Sequence, residues 1–543
     1  MKLIKYITIS AVAVAMLGSC NDLEQPPTNQ YTDANFWTPE RAEYLVNMAY
    51  AQMYDAGKMW RDESLSDNIC ETRGGNIYDI RKGNALPTLG RFNDEWRNLY
   101  GGIKTCHVFL DNVEGQNIEE GVKERLKAQV RFVRAYLYFR LTNFYGDVPF
   151  FTKDITLEES HTIGRTARSE IIKFIHEEME AIIPLLPTKQ EAVPGRITKG
   201  AAAMLDARAY LYDSDWAKVE SICRNFMNGT YGKYALFPSY AGLFQVENEY
   251  NEEIILERGY LEKSITWAED MQDMVTYSVG SRTPDVLPVQ SLVDNYMMLS
   301  GYSIDEAGTD YDPTDPYKNR DPRMEATIIY DGYEWNKNAA NWYYKPFINL
   351  DRVVFENGYY QAKHPDAVVT DTYKEDKNGY SRTGYGTRKW FSPQDVLDWN
   401  SGLNIIMMRY ADVLLMYAEA MNEQGKMTES VWNETIRPIR KRAGFTSAKA
   451  LNYPTYGDMR ETLRKERRSE LAIEGLRYYD IVRWKAADKY LNGTVKGAGF
   501  TTWTDHYVFN DKRDYLWPVP QDQYNLNPNL GQNPGWTSEL SDK

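Results

Sequence analysis

KERRSELAIEGLRYYDIVRW, residues Lys465–Trp484, is the stretch from which we predict the fold. Its apolar residues recur at mostly helical spacing, and charged residues occupy most of the positions between them. Glu466, Glu470 and Glu474 form an i, i+4, i+8 row. Charges this dense beside an apolar stripe need partners if they pack inward, so we expect a helix joined by ion pairs to neighbouring helices. A solvated charged face beside an ordinary core stripe would give the same pattern.

Length and composition leave several architectures open but narrow the choice of partner. The chain has 543 residues, enough for two to four conventional domains or for one body built from helical repeats. Aromatic residues make up 13%, including 41 Tyr and 14 Trp. They can pack a helical core or stack on the C–H face of a sugar ring. The net charge of −14 argues against nucleic acid or an anionic membrane surface as the main partner, and leaves glycan, peptide and protein open.

The N-terminus has the pattern of a lipoprotein signal. Basic residues precede a short apolar segment, residues 6–17, which ends in Leu-Gly-Ser before Cys20 and so resembles a lipobox. We therefore predict a signal peptide at 1–19, lipidation at Cys20 and a polar tether at 20–38. An ordinary signal peptide in which Cys20 is incidental is the alternative.

Three further cysteines remain, Cys70, Cys106 and Cys223. An odd number does not support a disulfide framework. No later segment is long and apolar enough to cross a membrane, so the lipid on Cys20 would be the only anchor.

Helical periodicity is strong in several separate segments. Thr38 and Pro39 begin a first helix as N-cap and first residue, and 119–145 is amphipathic, ending at Gly146. Two helical hairpins of roughly tetratricopeptide length are predicted, one from Thr198–Tyr212 with Asp215–Asn228, the other across Arg409–Gly444. Residues 57–94 and about 245–405 lose this periodicity and are predicted to be irregular, the second of them partly β.

Several stretches together resemble one known family. The pattern E-R-R-x-E-L-x-x-E-G-x-R-x-x-D-x-x-R-W looks like the C-terminal signature of the SusD/RagB family. Asn319–Arg323 (NRDPR) and Leu516–Gln521 (LWPVPQ) resemble further landmarks of that family, in the same order. The resemblance implies a mostly helical fold, in which tetratricopeptide-like hairpins form a scaffold that carries an irregular, partly β loop-rich lobe.

On this basis we divide the mature chain into three regions. They are an N-terminal helical region at 39–235, a loop-rich ligand-binding lobe at 236–405, and a C-terminal helical region with an extended tail at 406–543. The resemblance also implies a lipid-anchored outer-membrane protein facing the extracellular side. It would deliver oligosaccharide to a SusC-like TonB-dependent transporter.

Aromatic residues mixed with amides and cations in the irregular segments are our candidate ligand-binding residues. Flat rings suit stacking on sugars, and amides and cations suit hydroxyl groups. For any single aromatic, a buried strut under a loop is the competing interpretation. The candidates are Trp60, Arg73, Asn76 and Tyr78 in the first segment, Tyr260 and Trp267 in the second, and Trp335, Trp342, Tyr343 and Tyr344 in the third.

Catalytic motifs do not stand out in the sequence. None of the five His belongs to a His-Glu-x-x-His pattern, and we find neither a G-x-S-x-G elbow nor a P-loop. Paired carboxylates for glycoside hydrolysis stay open, because sequence does not give their spacing in space. We therefore predict a protein that is not an enzyme.

We also predict no cofactor. The acidic cluster of Asp310, Asp312 and Asp315 could hold Ca²⁺, but it lacks the glycine and terminal glutamate of an EF-hand. A solvated acidic turn is the simpler interpretation.

The function predicted from sequence is therefore capture of an oligosaccharide at the cell surface, without covalent chemistry. Three alternatives remain: a peptide-binding uptake subunit of the same family, a surface glycoside hydrolase, and a structural lid with negligible affinity for ligand.

Overall fold

The computed structural model describes residues 36–267, 271–281, 283–334, 352–374, 380–391 and 400–536. In these ranges helices supply most of the regular structure, and the strands pair into four small antiparallel two-stranded sheets. The predicted fold class, a mostly helical scaffold with a minor β contribution, is confirmed.

The first part of the described chain is almost entirely helical. Helix α5 packs against α4 and α7, and α8 packs against α7 and α9, so successive helices stack as hairpins. The hairpin predicted across 198–228 is confirmed as α8 and α9. The elements are α1 (Pro39–Met53), α2 (Ala56–Ser64), β1 (Ile69–Glu71), α3 (Asn76–Arg81), α4 (Gly90–Asn112), α5 (Glu120–Tyr145), α6 (Leu157–Ser160), α7 (Arg168–Ile182), α8 (Lys199–Tyr212) and α9 (Trp216–Met227).

Helix ends follow the capping chemistry predicted from sequence. The Thr38 hydroxyl accepts a hydrogen bond from the Arg41 amide at 3.3 Å, with Pro39 as the first residue of α1. Gly146 ends α5 with a φ of 71°, a conformation that glycine adopts without steric cost. These caps set where the scaffold helices begin and end.

The middle of the chain is irregular and partly β, as predicted. Strand β3 pairs with β1, β2 pairs with β6, and β4 pairs with β5. The lobe is therefore hydrogen-bonded to the N-terminal region through β1 and runs into the C-terminal region through β6. The elements are β2 (Ile254–Arg258), α10 (Met271–Met274), β3 (Val286–Pro288), α11 (Gln290–Asn295), α12 (Pro322–Thr327), β4 (Ile328–Ile329), α13 (Tyr359–Lys363), β5 (Gly386–Thr387) and β6 (Ile405–Arg409).

The C-terminal region returns to helices. Helix α14 packs against α9 and α18, which stacks the second hairpin on the first. That hairpin is present, but its second arm consists of two short helices rather than one. The elements are α14 (Tyr410–Glu423), α15 (Glu429–Glu434), α16 (Ile436–Ala443), α17 (Ala448–Leu451), α18 (Met459–Glu470), α19 (Arg477–Arg483), α20 (Ala487–Tyr490), β7 (Gly493–Lys496), β8 (Thr504–Tyr507) and α21 (Gln521–Leu526).

The quoted stretch 465–484 is not one helix, and this part of the prediction is wrong. Helix α18 ends at Glu470, six residues turn, and α19 begins at Arg477. Within the turn Ile473 has a φ of 59° and Gly475 a φ of 73°. The amides of both donate to the buried Glu63 carboxylate, at 3.1 and 2.8 Å. Helical spacing in the sequence could not reveal these distant partners.

The charged side chains of this stretch are buried and paired, so the ion-pair interpretation is confirmed over the solvated face. Glu470 accepts hydrogen bonds from Arg409 at 2.7 Å and from Arg323 at 2.9 Å. Arg323 belongs to the NRDPR landmark and also donates to Glu466 at 2.8 Å. Glu474 accepts from Arg409 and from Lys389, both at 2.7 Å. The two landmarks therefore form one buried network.

Residues 57–94 are more regular than predicted. Trp60 lies within α2, and Asn76 and Tyr78 lie within α3. Both helices are short, and most of α2 is buried, including Asp62 and Glu63. Helices of nine and six residues contain too few turns for an i, i+3, i+4, i+7 pattern to repeat, which is why periodicity failed here.

The closing segment is an extended tail packed on the body, as predicted. The Trp517 ring stacks on Phe144 with a centroid distance of 4.0 Å. The Asn533 amide donates to the carbonyls of Tyr145 at 2.8 Å and of Trp517 at 2.7 Å. Among the residues that the structure describes, no helix combines the length and hydrophobicity needed to span a membrane.

Candidate ligand-binding surface

Arg73 is held at the end of strand β1 by three hydrogen bonds to the lobe. Its guanidinium donates to the carbonyl oxygens of Pro284 and Tyr380, both at 3.1 Å, and to the Tyr380 hydroxyl at 3.0 Å. The guanidinium carbon lies 4.2 Å from the centre of the Tyr380 ring. Arg73 is therefore a partly exposed side chain in a fixed position, which reduces the entropy lost when a ligand contacts it.

An exposed turn of two glycines follows Arg73 and leads into α3, which carries Asn76 and Tyr78. Gly74 and Gly75 have φ values of 103° and 137°, which a residue with a Cβ rarely adopts. The Glu71 carboxylate accepts from the Tyr78 amide at 3.1 Å. Asn76 is exposed and Tyr78 is half-buried, so the first turn of α3 presents an amide and a phenol ring.

Tyr380 and Arg382, which sequence analysis did not select, support this surface, and Tyr380 is itself buried, at 8% exposure. Arg382 donates to the Thr72 carbonyl and, at 3.2 Å, to the Tyr380 hydroxyl. Its guanidinium carbon lies 5.6 Å from the centre of the Tyr380 ring, so two cations flank one aromatic side chain. The sequence YSR, a tyrosine beside a cation in an irregular segment, carries the same composition signal that selected Arg73 and Tyr78. We call Arg73, Asn76, Tyr78, Tyr380 and Arg382 the arginine–tyrosine surface.

The carboxylates nearest to this surface hold the turn in place. Asp285 accepts from the Thr72 amide at 2.8 Å and from its hydroxyl at 2.9 Å. Glu71 accepts from the Tyr78 amide. Because the Asp285 and Glu71 carboxylates both accept from backbone amides around the turn, we interpret them as groups that stabilise the loop.

Trp60 and Trp267 were predicted to offer ring faces to a ligand, and this expectation is wrong. Their side chains are 1% and 3% exposed. Both rings pack on Phe391, at centroid distances of 5.7 Å for Trp60 and 5.9 Å for Trp267. The Trp267 indole N–H donates to the Leu403 carbonyl at 2.9 Å. The two residues are the buried struts that formed the competing interpretation.

Tyr260 lies apart from the arginine–tyrosine surface. Its hydroxyl accepts a hydrogen bond from the Ala56 amide at 3.1 Å, and its own amide donates to Asn404 at 2.7 Å. It therefore helps to fix the start of α2. The side chain is partly accessible, but its contacts do not join it to Arg73 or Tyr380.

Trp335, Trp342, Tyr343 and Tyr344 lie outside the described residues, so their predicted role stays a prediction. The residues flanking that stretch, Glu334 and Arg352, pair as a β bridge and an ion pair.

A cluster of aromatic rings lies next to one of the residues that flank this stretch. Tyr385, close in sequence to Tyr380, contacts Tyr317 at a centroid distance of 6.4 Å. Tyr317 stacks on Tyr330 at 4.4 Å, and Tyr330 contacts Tyr333 at 5.4 Å. These four rings form a continuous cluster that ends at Tyr333, the neighbour of Glu334 in the chain.

Asp331 follows Tyr330 of this aromatic cluster in the chain. It accepts hydrogen bonds from the amides of Phe355 at 2.8 Å and Tyr360 at 2.7 Å. Burial raises the pKa of Asp331 to about 6, although these amides lower it. Its bonds to two backbone amides identify Asp331 as a structural group.

The acidic cluster predicted as a possible calcium site has other partners. Asp312 accepts from the amide and hydroxyl of Thr314, both at 2.8 Å, and Asp315 pairs with Lys363 at 2.8 Å. Across the described ranges, no group of three or more His, Cys, Asp or Glu side chains is arranged to hold a metal ion. Cys70, Cys106 and Cys223 are buried free thiols.

Two models of known protein families match this chain. The model of the "SusD family" matches residues 252–536, more than half of the chain, and a model described as "Starch-binding associating with outer membrane" matches residues 23–211. The chain belongs to the SusD family.

Two curated relatives illustrate the extent of the similarity. A SusD-like protein of Formosa agariphila is 27% identical over 500 residues, covering 89% of this chain and 87% of that protein. The starch-binding protein SusD of Bacteroides thetaiotaomicron is 25% identical over 482 residues, covering 80% and 76%.

Solved structures have the same fold. A SusD-like carbohydrate-binding protein of Bacteroides fragilis superposes with a TM-score of 0.77 at 28% identity, covering 91% of this chain and 99% of that protein. A laminarin-binding SusD-like protein superposes with a TM-score of 0.66 at 22% identity, covering 92% and 99%, which supports the fold alone.

Proposed function

We propose that this protein is a glycan-binding lipoprotein of the outer membrane, facing outward, that captures an oligosaccharide and passes it to a SusC-like TonB-dependent transporter. The observation that carries the proposal is the similarity, over nine-tenths of the chain, to a family member described as carbohydrate-binding. The starch-binding relative and the family description that names the outer membrane support it further.

Capture would use the arginine–tyrosine surface together with the aromatics of segment 335–351. Sugar rings stack on aromatic faces, and guanidinium and amide groups donate to sugar hydroxyls. Arg73 and Tyr380 are fixed by their mutual bonds before any ligand arrives, so little ordering entropy is lost on binding. Binding of this kind involves no covalent step, and the protein would act without catalysis.

The anchor is part of the same proposal. Cys20 would carry the lipid and residues 20–38 would tether the body to the membrane, as the lipobox pattern suggests. A peptide-binding role within the family would require a cleft lined for main-chain hydrogen bonding. The mixture of rings, amides and cations favours sugar instead.

Calorimetry of the protein starting at residue 21, against a panel of plant and host oligosaccharides and peptides, tests the proposal. We expect saturable binding of at least one glycan. Asn76→Ala with Tyr78→Ala, and separately Trp335→Ala with Trp342→Ala, should each raise Kd about tenfold or more, equivalent to about 1.4 kcal/mol. Tyr44→Ala, at an exposed tyrosine of α1, is the matched control and should leave Kd unchanged.

Binding of peptides with no binding of any glycan would overturn the carbohydrate proposal. Release of reducing sugar from the panel by the purified protein would instead support the glycoside hydrolase. Unchanged affinity in both double variants would place the site elsewhere on the molecule.

A further inference from the structure

A cavity of about 90 Å³ lies between strand β2 and the segment that joins α7 to α8. None of the residues of the arginine–tyrosine surface lines it. It opens to solvent beside Tyr250 and Val193, whose side chains are 38% and 70% exposed. Its remaining wall includes Lys189, Arg196 and Glu257.

Glu257 lines this cavity and has one carboxyl oxygen to which no described residue donates. The residue is only 6% exposed. Its Oε1 accepts hydrogen bonds from the Tyr250 amide at 3.0 Å and from the Asn404 side chain at 3.1 Å. Its Oε2 accepts none from the described part of the chain, and no Lys or Arg there pairs with it within 4.0 Å. Oε2 therefore keeps its lone pairs free to accept a hydrogen bond from a ligand hydroxyl group that enters the cavity.

Tyr250 is held at the mouth of the cavity in an uncommon conformation. Its φ of 57° lies in the left-handed region, where a tyrosine is rarely found. The side chain of Tyr250 lies beside Gly195, and a Cβ added at residue 195 would make ordinary van der Waals contact with it, at 3.6 Å. A backbone conformation of this kind is strained for a residue with a side chain and tends to cluster at functional sites. The result is a half-exposed aromatic face beside a buried carboxyl group.

The charges around the cavity disfavour a charged ligand. The Lys189 ammonium donates to the carbonyls of Asn251 and Ile254 and would repel a cation. Asn404 donates to Glu257 through its side chain and to Glu249 through its backbone amide, and the two carboxylates would repel an anion. A neutral ligand with several hydroxyl groups meets both donors and acceptors without this penalty.

We propose that this cavity binds one neutral pyranose unit, which stacks on Tyr250 and donates a hydroxyl hydrogen bond to Oε2 of Glu257. The proposal rests on the glycan-binding function proposed above and adds to it a second contact, separate from the arginine–tyrosine surface. A sugar held here would be only partly enclosed, because the cavity is smaller than a pyranose and opens beside Tyr250.

Saturation-transfer NMR with single-sugar probes tests the proposal on the full chain, held in a detergent without a sugar head group. The probes are the methyl glycosides of glucose, galactose, mannose and xylose, with methylammonium chloride as a cationic probe. We expect a signal from at least one glycoside. Tyr250→Ala and the nearly isosteric Glu257→Gln should each reduce that signal at least fivefold. Tyr44→Ala should leave it unchanged, and the Asn76→Ala/Tyr78→Ala pair shows which part of the signal comes from the arginine–tyrosine surface.

Thermal unfolding of each variant distinguishes loss of the site from loss of the fold. As a second control, Tyr250→Phe keeps the aromatic ring and should retain the signal. The proposal is overturned by a signal that is equal in all variants, that is lost only in the Asn76/Tyr78 pair, or that is absent for every glycoside. Binding of methylammonium alone would overturn the ligand class. Each of these outcomes leaves the oligosaccharide calorimetry intact, so failure here is distinguishable from failure of the proposed function.

Discussion

Arg409 shows how much one side chain can organise in this fold. It is 1% exposed and donates to three carboxylates: Glu253 and Glu470, each at 2.7 Å, and Glu474, at 2.7 and 2.8 Å. It also donates to the main-chain carbonyl of Glu470 at 2.6 Å. Its partners come from α18, from the turn after α18 and from the residue just before β2. Removing one member of such a buried network leaves charges without a partner, which costs more than the pair contributes.

We therefore expect Arg409→Ala to lower the free energy of unfolding by about 3–5 kcal/mol in urea titrations. Arg460→Ala is the control, because Arg460 makes a comparable ion pair with Glu423 at 2.7 Å but its side chain is 53% exposed. An exposed pair contributes about 0–1 kcal/mol. Similar costs for both variants would contradict the claim that burial of the network determines its importance.

Among the elements, the turn between α18 and α19 is the least expected from sequence. Both the amides and the carbonyls of its backbone have partners, and the amides donate to Glu63. The Ala472 carbonyl accepts from Lys389 at 2.8 Å, and the Ile473 carbonyl accepts from Trp390 at 2.7 Å. Burial raises the pKa of Glu63 to about 7, although Asn68 and the amides of the turn counteract this. These bonds replace the helical bonds that a continuous helix would have made.

Gly475→Ala tests the requirement for this turn. An alanine with a φ of 73° is strained by about 1–2 kcal/mol, and its Cβ would overlap the Tyr54 hydroxyl and approach the Met59 backbone. We expect the free energy of unfolding to fall by about 2 kcal/mol or more, measured by urea denaturation. Gly115→Ala, where no heavy atom lies within 4 Å, should cost little. A cost at Gly475 no larger than at Gly115 would show that the turn tolerates a side chain.

For the whole molecule, buried acids predict how stability depends on pH. Burial raises the pKa of Glu63 and Glu257 to about 7 and that of Asp331 to about 6, so the folded state retains protons that the unfolded chain releases. Their contribution to stability therefore increases as pH falls from about 7 towards 4.5. Arginine partners lower the pKa of Asp412 and Glu470 to about 2, against the desolvation that burial imposes. Their contribution is present above the unfolded pKa and is lost as pH falls further.

We expect the melting temperature to pass through a maximum at about pH 5 and to fall on both sides, as measured by scanning calorimetry from pH 8 to pH 2. His107 acts in the opposite direction, because burial lowers its pKa to about 4 in the folded state. Below the ordinary pKa of histidine the unfolded chain therefore binds a proton that the folded state does not, which partly offsets the gain in stability as pH falls. Glu257→Gln should make the melting temperature depend less on pH between pH 5 and 7. A melting temperature that rises steadily from pH 5 to 8 would contradict this account.

The sequence by itself determined the helical scaffold. Amphipathic spacing placed α5, α8 and α9 and the first arm of the second hairpin, and Thr38, Pro39 and Gly146 marked helix ends, because these features depend on neighbours within a few residues. The composition of the first irregular segment also selected Arg73, Asn76 and Tyr78, which the structure places on one surface.

Only the tertiary structure decided which aromatics are buried and where the signature helix breaks. Trp60 and Trp267 occur in stretches that resemble the one containing Tyr78, yet both pack under Phe391, which is distant in sequence. The turn at Ile473 and Gly475 exists because Glu63, Lys389 and Trp390 bind its backbone. Likewise, the cavity at Glu257 and Tyr250 is formed by segments brought together in space. Burial and hydrogen-bond satisfaction depend on such long-range partners, and local periodicity carries no information about them.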